Sequence, residues 1–177
     1  TDKIGCWMIT NPSKGSDVMV YDVKREWPQG QQGNRGNILA QVGKDEIVIN
    51  GQCSAWVSNG AIAQVAMALV SADYGDGYFD SEGRPHGAAL IIPLDLPGVS
   101  RGKPLEKIGQ RALPQGEVYF DNVKIPRRFA AALQDEYYGA HSSSWSYAGT
   151  QASQIFVGVA RAAFELALQY CHERRQG

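Results

Sequence analysis

The chain is predicted to be mainly β, a sandwich or barrel, followed by one long α-helix. Three observations carry this. Short apolar runs broken by turn signals fill residues 1–126, the spacing seen in sandwiches and barrels. Residues 65–70 (Val-Ala-Met-Ala-Leu-Val) and 88–92 (Ala-Ala-Leu-Ile-Ile) are continuously apolar, as buried strands are. Residues 146–175 contain no proline, and their apolar positions recur every three or four residues.

Taken in order, Ile47-Val48-Ile49 reads as a strand running into Asn50-Gly51. Asn-Gly suits a type I′ turn, whose two central residues need positive φ, so a hairpin is expected there, with a return run ending at Trp56-Val57. Asn59-Gly60 marks the next corner. The runs at 65–70 and 88–93 are buried strands, the second ending at Pro93. Residues 117–120 and 123–125 are two strands around an Asp121-Asn122 turn. Residues 21–37 and 73–87, rich in Gly and polar residues, are surface loops. Residues 135–146 are polar and aromatic and read as a linker. In the helix, Ile155, Val159, Ala163, Leu166 and Tyr170 form one apolar stripe, and Ala152, Phe156, Ala160 and Ala167 widen it. One helix cannot form a core alone, so it is expected to pack on a surface this chain does not contain.

Composition narrows the function classes. The 177 residues are 44% hydrophobic and 20% charged, which is globular, and the net charge of −1 gives no electrostatic basis for a nucleic-acid or anionic-membrane partner. No apolar run is long enough for a membrane span, and residues 1–5 have no signal-peptide character. Cys6, Cys53 and Cys171 are odd in number and widely spaced, and His86, His141 and His172 lack ligand spacing, so neither a disulfide framework nor a metal site is expected. A reducing compartment fits, bacterial cytoplasm or mitochondrial matrix.

Six segments in order carry a family resemblance: Ile9-Thr10-Asn11-Pro12-Ser13-Lys14-Gly15-Ser16-Asp17, Ile49-Asn50-Gly51, Trp56-Val57-Ser58-Asn59-Gly60, Lys107-Ile108-Gly109-Gln110-Arg111-Ala112, residues 118–126, and the helix ending Tyr170-Cys171-His172-Glu173-Arg174-Arg175-Gln176. Together they resemble an acyl-CoA dehydrogenase over nearly the whole chain. The resemblance implies a middle β domain at 1–130, a linker at 131–146, and at 147–177 the first helix of an incomplete C-terminal helical domain. It implies FAD as cofactor, an acyl-CoA substrate, an electron-transferring flavoprotein as acceptor, and a homotetramer or homodimer when full length. The implied reaction is α,β-dehydrogenation of the thioester with hydride transfer to flavin N5.

A flavin ring is flat and mostly apolar with polar edges, so it needs an apolar wall and a few aimed donors. Trp7 and Trp56 can supply the wall, Thr10 and Ser58 short hydroxyls for the ring edge. The resemblance implies that Trp7, Ile9, Thr10, Gly15, Ser16, Trp56, Val57, Ser58, Arg174 and Gln176 contact FAD. It places Gly15-Ser16 at the pyrophosphate, where a tight turn can form an anion-binding nest, Ser16 and Asp17 near the substrate, and Arg174 and Gln176 at the cofactor of a neighbouring subunit. Asn11 stands where the family usually has Glu. No catalytic residue is expected in this chain: the base implied is a Glu downstream of Gly177, and at the position used by a minority of members stand Ala148 and Gly149, which cannot take a proton. The 21–37 loop, longer than the family's usual connection, is expected to cover the pocket mouth or a subunit contact. Lys107 and Arg111 can pair with acidic neighbours in a turn, and no chemistry is assigned to them. An acyl-CoA oxidase, a repair-associated flavoprotein of the same fold and a non-catalytic β binding module are the alternatives.

Overall fold

The computed structural model describes residues 2–10, 12–13, 36–81 and 83–176, with the backbone alone at Trp145. Among them are eight strands and one long helix: β1 (Gly5–Met8), β2 (Ile38–Val42), β3 (Glu46–Gln52), β4 (Val65–Asp73), β5 (Gly87–Pro93), β6 (Val99–Arg101), β7 (Val118–Pro126), β8 (Ala130–Leu133) and α1 (Asp135–Glu173). The mainly β class with one long C-terminal helix is the class observed. The strands form one hydrogen-bonded sheet in the order β6-β7-β3-β2-β4-β5-β8, with β1 beside β4 outside that path.

β4 organises the sheet. β5 runs antiparallel along one edge, from Val65↔Pro93 to Ser71↔Gly87. Along the other edge β1 lies parallel to its first half, Gly5↔Val65 to Met8↔Ala68, and β2 parallel to its second half, Leu39↔Ser71 to Gln41↔Asp73. β4 is covered on both faces, which is why its sequence does not alternate. Ala66, Ala68, Val70 and Ala72 face the large core with Ile47, Ile49, Leu90, Ile92, Val123 and Ile125. Leu69 faces a smaller core with Ala89, Ala132 and the fully buried Tyr137.

Tyr137 lies against the backbone of Gly87, where a β-carbon would overlap its ring. Burying a side chain of this size stabilises by about 2–3 kcal/mol. Next to it the Tyr74 hydroxyl accepts from the Gln134 N–H at 2.9 Å and donates to the Gly87 carbonyl at 2.8 Å.

Three expectations are corrected. Asn50-Gly51 is not a hairpin turn. The hairpin lies earlier, between β2 and β3, closed by Gly43 N–H donating to Glu46 O at 2.9 Å. Gly51 spends its freedom inside β3 instead: its φ is 109°, and a β-carbon there would overlap the carbonyl oxygen of Asn37.

Asp121-Asn122 is not a turn between two strands either. β7 is continuous, and between the pairs Ile49↔Val123 and Gly51↔Phe120 two of its residues face the single Asn50. That is a β-bulge. Asn122 takes the left-handed conformation, φ 50°, and its N–H donates to Asn50 Oδ1 at 2.8 Å. The extra residue resets the side-chain phase: Val118 and Phe120 before it and Val123 and Ile125 after it all face inward.

Residues 131–146 are not a linker. β8 ends at Leu133 and α1 starts at Asp135. Asp135 and Glu136 in the first turn suit the positive end of the helix dipole. One polar side chain of this stretch turns back on the helix: Ser146 Oγ donates to Ser142 O at 3.2 Å.

The chain divides into two compact units, Thr1–Ala140 and His141–Gly177. In the second, Ile155, Phe156, Val159, Leu166 and Tyr170 are all exposed. Among the described residues no helix is long and apolar enough to cross a membrane.

The bulge makes a prediction. Asn122→Val places a branched side chain at positive φ and should cost about 2 kcal/mol, whereas Asn122→Gly should cost less than about 1 kcal/mol. Urea denaturation of the full-length protein checks this, and equal losses for the two variants would contradict the left-handed bulge.

Candidate functional site

β1 and β3 each leave the sheet into a short segment, and one cluster of hydrogen bonds joins the two. Ser54 N–H donates to Thr10 O at 3.0 Å, and the hydroxyls of Thr10 and Ser54 are 2.8 Å apart. The Ser54 hydroxyl also accepts from Trp56 N–H at 3.2 Å, the local turn that serine favours two residues before an amide. Ser54 is buried, and Trp56 beyond it is 65% exposed. Ser58 is exposed as well, and the corner closes through Gly60 N–H to Val57 O at 3.0 Å, with Asn59 at φ 62°.

A second loop braces this corner from outside. It spans residues 102–117, between β6 and β7. Asn59 N–H donates to Pro114 O at 2.7 Å, and Gly116 N–H to Val57 O at 3.3 Å. Ser58 and Gln115 form an isolated β-bridge, and Gln115 Nε2 donates to Trp56 O at 2.9 Å. Lys107 Nζ in turn donates to Gln115 Oε1 at 2.8 Å and to Leu113 O at 2.7 Å. Arg111 Nε donates to Lys107 O at 3.0 Å. Acidic partners for Lys107 and Arg111 are therefore not the contacts seen; loop carbonyls and an amide take their place.

The other expected site residues are placed as follows. Trp7 points outward from β1 at 36% exposure, between the buried Cys6 and Met8. Ile9 is half-buried against the small core. Val57 is 2% exposed, so its side chain belongs to the core and any contact with a cofactor is through its backbone. Arg174 and Gln176 follow α1 in the second unit. The Arg174 guanidinium stacks 5.5 Å from the centre of the Tyr170 ring and donates to its hydroxyl at 2.7 Å. Gly15, Ser16, Asp17, Asn11 and loop residues 21–35 lie outside the described residues; Asn37, at the end of that loop, accepts from Ser13 N–H at 3.1 Å and from its hydroxyl at 2.6 Å.

Sequence reasoning missed Ser54 and Gln115. Ser54 had a usable signal, a small hydroxyl two residues before Trp56. Gln115 had none, because its role depends on a contact between residues 59 apart in sequence.

Two thiols lie beside this cluster. Cys53 N–H donates to Val118 O, and Val118 N–H to Cys53 Sγ, both at 3.0 Å. Burial pushes the Cys53 thiol up to about 11. Burial first, and then the neighbouring Cys53, push Cys6 up to about 12. Both are structural thiols rather than nucleophiles. Among the described residues no group of His, Cys, Asp or Glu could hold a metal ion.

Trp56, 65% exposed, follows a part-buried hydroxyl pair, while Phe120 and Tyr137 of the same unit are buried. The fold is a β domain followed by a long helix. The chain belongs to the acyl-CoA dehydrogenase family: residues 6–123 match the family model described as acyl-CoA dehydrogenase, middle domain. The glutaryl-CoA dehydrogenase of Desulfococcus multivorans is 31% identical over 173 residues, which are 98% of this chain and 39% of that protein. The solved structure of a glutaryl-coenzyme A dehydrogenase glutaryl-CoA complex matches 99% of this chain and 39% of its own, at 30% identity and a TM-score of 0.72. A glutaryl-CoA dehydrogenase from Mycobacterium smegmatis in complex with FADH2 matches 75% of this chain and 28% of its own, at 26% identity and a TM-score of 0.54. The chain spans about two fifths of the length of the curated relatives it matches.

The thiols yield a pH prediction. With folded values above the ordinary 9.0, the unfolded chain ionises first. Their contribution to stability is therefore complete below about pH 9 and is lost as pH rises toward 11–12. Urea midpoints measured from pH 8 to pH 11 should fall less steeply in Cys53→Ala than in the parent, and identical slopes would contradict the assignment.

Proposed function

We propose that this chain supplies the flavin-facing wall of an FAD-dependent acyl-CoA dehydrogenase that converts an acyl-CoA thioester to its 2-enoyl-CoA. The observation that carries this reading is the joining of Thr10, Ser54 and Trp56 into one hydrogen-bonded cluster with an open indole. The FADH2 complex of one relative supports the cofactor, and the glutaryl-CoA complex of another supports the substrate class.

In this reading Trp56 and Trp7 give the ring an apolar surface, and the hydroxyls of Thr10 and Ser58 serve its polar edge. Ile9 and the backbone of Val57 complete the contacts with the cofactor. Gly15 and Ser16 offer N–H groups to the pyrophosphate, and Ser16 and Asp17 line the approach of the thioester. Arg174 and Gln176 reach the cofactor of a neighbouring subunit, Arg174 held ready by Tyr170. FAD, when bound, supplies the acceptor for the hydride leaving the β-carbon of the substrate.

The chain's own part is binding, orientation and exclusion of water. Donors fixed on stiff backbone cost no reorganisation when charge builds on the ring, so they favour its electron-rich form. Removal of the α-proton falls to a residue outside this chain: Ala148 and Gly149 have no proton acceptor, and a Glu beyond Gly177 is proposed for it. An electron-transferring flavoprotein is the proposed acceptor, and a homotetramer or homodimer the proposed assembly.

The test is the visible spectrum of the full-length protein before and after anaerobic addition of a panel of acyl-CoAs. A flavin band bleached by one thioester is the expected outcome. A protein that stays colourless after reconstitution with FAD would overturn the reading.

A further inference from the structure

The residue that fixes the Trp56 corner from a distance is Lys107. An ammonium only donates hydrogen bonds, and a backbone carbonyl only accepts them. The Gln115 side chain sits between one of each: Oε1 receives Lys107 Nζ at 2.8 Å, and Nε2 donates to Trp56 O at 2.9 Å. Only one orientation of the amide satisfies both ends. The charge on Lys107 therefore sets which way Gln115 points, and Gln115 sets where the Trp56 carbonyl is held. The second Lys107 contact, to Leu113 O at 2.7 Å, closes the loop on itself. That closure is backed by the turn from Leu113 N–H to Gln110 O at 3.0 Å and by Arg111 on the carbonyl of Lys107. The next residues, Pro114 and Gly116, are those that bond Asn59 and Val57.

We propose that Lys107 is a positioning residue: through Gln115 it holds residues 56–60 in the conformation that presents Trp56 and Ser58 to the flavin. This rests on the reading of that segment as the flavin wall. Lys107 is half-buried in a loop outside the strands, so its ammonium can be removed without touching either core. A hydrogen bond to a charged group contributes more than a neutral one. A methionine keeps the length of the stem and loses all donors, whereas an arginine keeps the charge and the donors.

The experiment compares the full-length protein with Lys107→Met and Lys107→Arg. Hydrogen exchange at the amides of Asn59 and Gly60, measured without flavin, reports the segment directly. Anaerobic flavin reduction by the best acyl-CoA of the panel reports the site. Lys107→Met should bind FAD in the same stoichiometry, exchange these amides about tenfold faster and reduce its flavin about tenfold more slowly. The half-saturating thioester concentration should move less than about twofold. Lys107→Arg should lie within about threefold of the parent in both rates. Parent-like exchange and reduction in Lys107→Met would overturn the proposal, as would losses that Lys107→Arg shares in full. A parent protein without flavin would instead sink the reading of the site, and the exchange rates would still decide whether Lys107 holds the segment.

Discussion

The two segments of the candidate site are joined where two hydroxyls meet. Thr10 and Ser54, 2.8 Å apart, join the segment leaving β1 to the segment leaving β3. These strands do not pair with each other; β1 lies on β4, and β3 is two strands away on the other side of β2. Trp7 is held in β1 by its pairing with Met67, and Trp56 follows β3; the contact joins the segment after the first strand to the segment that carries Trp56. With it, and with Ser54 N–H on Thr10 O, the two exits form one surface. Ser54 itself is buried, and its side-chain bonds to Thr10 and Trp56 are partly shielded from water.

The rest of the unit explains why the two exits meet. β4 takes β1 along its first half and β2 along its second, so the edge it offers is shared. The β7 bulge opposite Asn50 keeps both halves of a nine-residue strand facing the core, which carries the chain past Cys53 with Val118 bonded to it on both sides. The loop before β7 then lies against the Trp56 corner. Cores of this kind tolerate little change in register, because a one-residue slip would turn every inward side chain outward.

Much of the fold could be read from the sequence where burial speaks directly. The runs at 65–70 and 88–92 are strands, and the periodic apolar positions from Ile155 to Tyr170 are helix. The failures share one physical cause. Positive φ is a local need that a turn, a bulge and a close backbone approach all create, and Asn-Gly or Asp-Asn cannot say which one it serves. At Gly51 the need was the Asn37 carbonyl; at Asn122 it was the bulge. The serines from Ser142 to Ser146 misled for a related reason, since the bond from Ser146 Oγ to Ser142 O cannot be seen in composition. Within the site, Trp56 and Thr10 were legible as residue types suited to a flat ring. Ser54 and Gln115 act through partners 44 and 59 residues away, which no local pattern records.

The most direct test of this account is a double-mutant cycle on FAD affinity in the full-length protein, with Thr10→Val, Ser54→Ala and the pair. If one hydroxyl contact joins the two walls, each single change removes most of what the pair removes, and the coupling energy is about 1 kcal/mol or more. Losses that simply add, or no loss in either variant, would contradict the claim that the cofactor wall is held together at this contact.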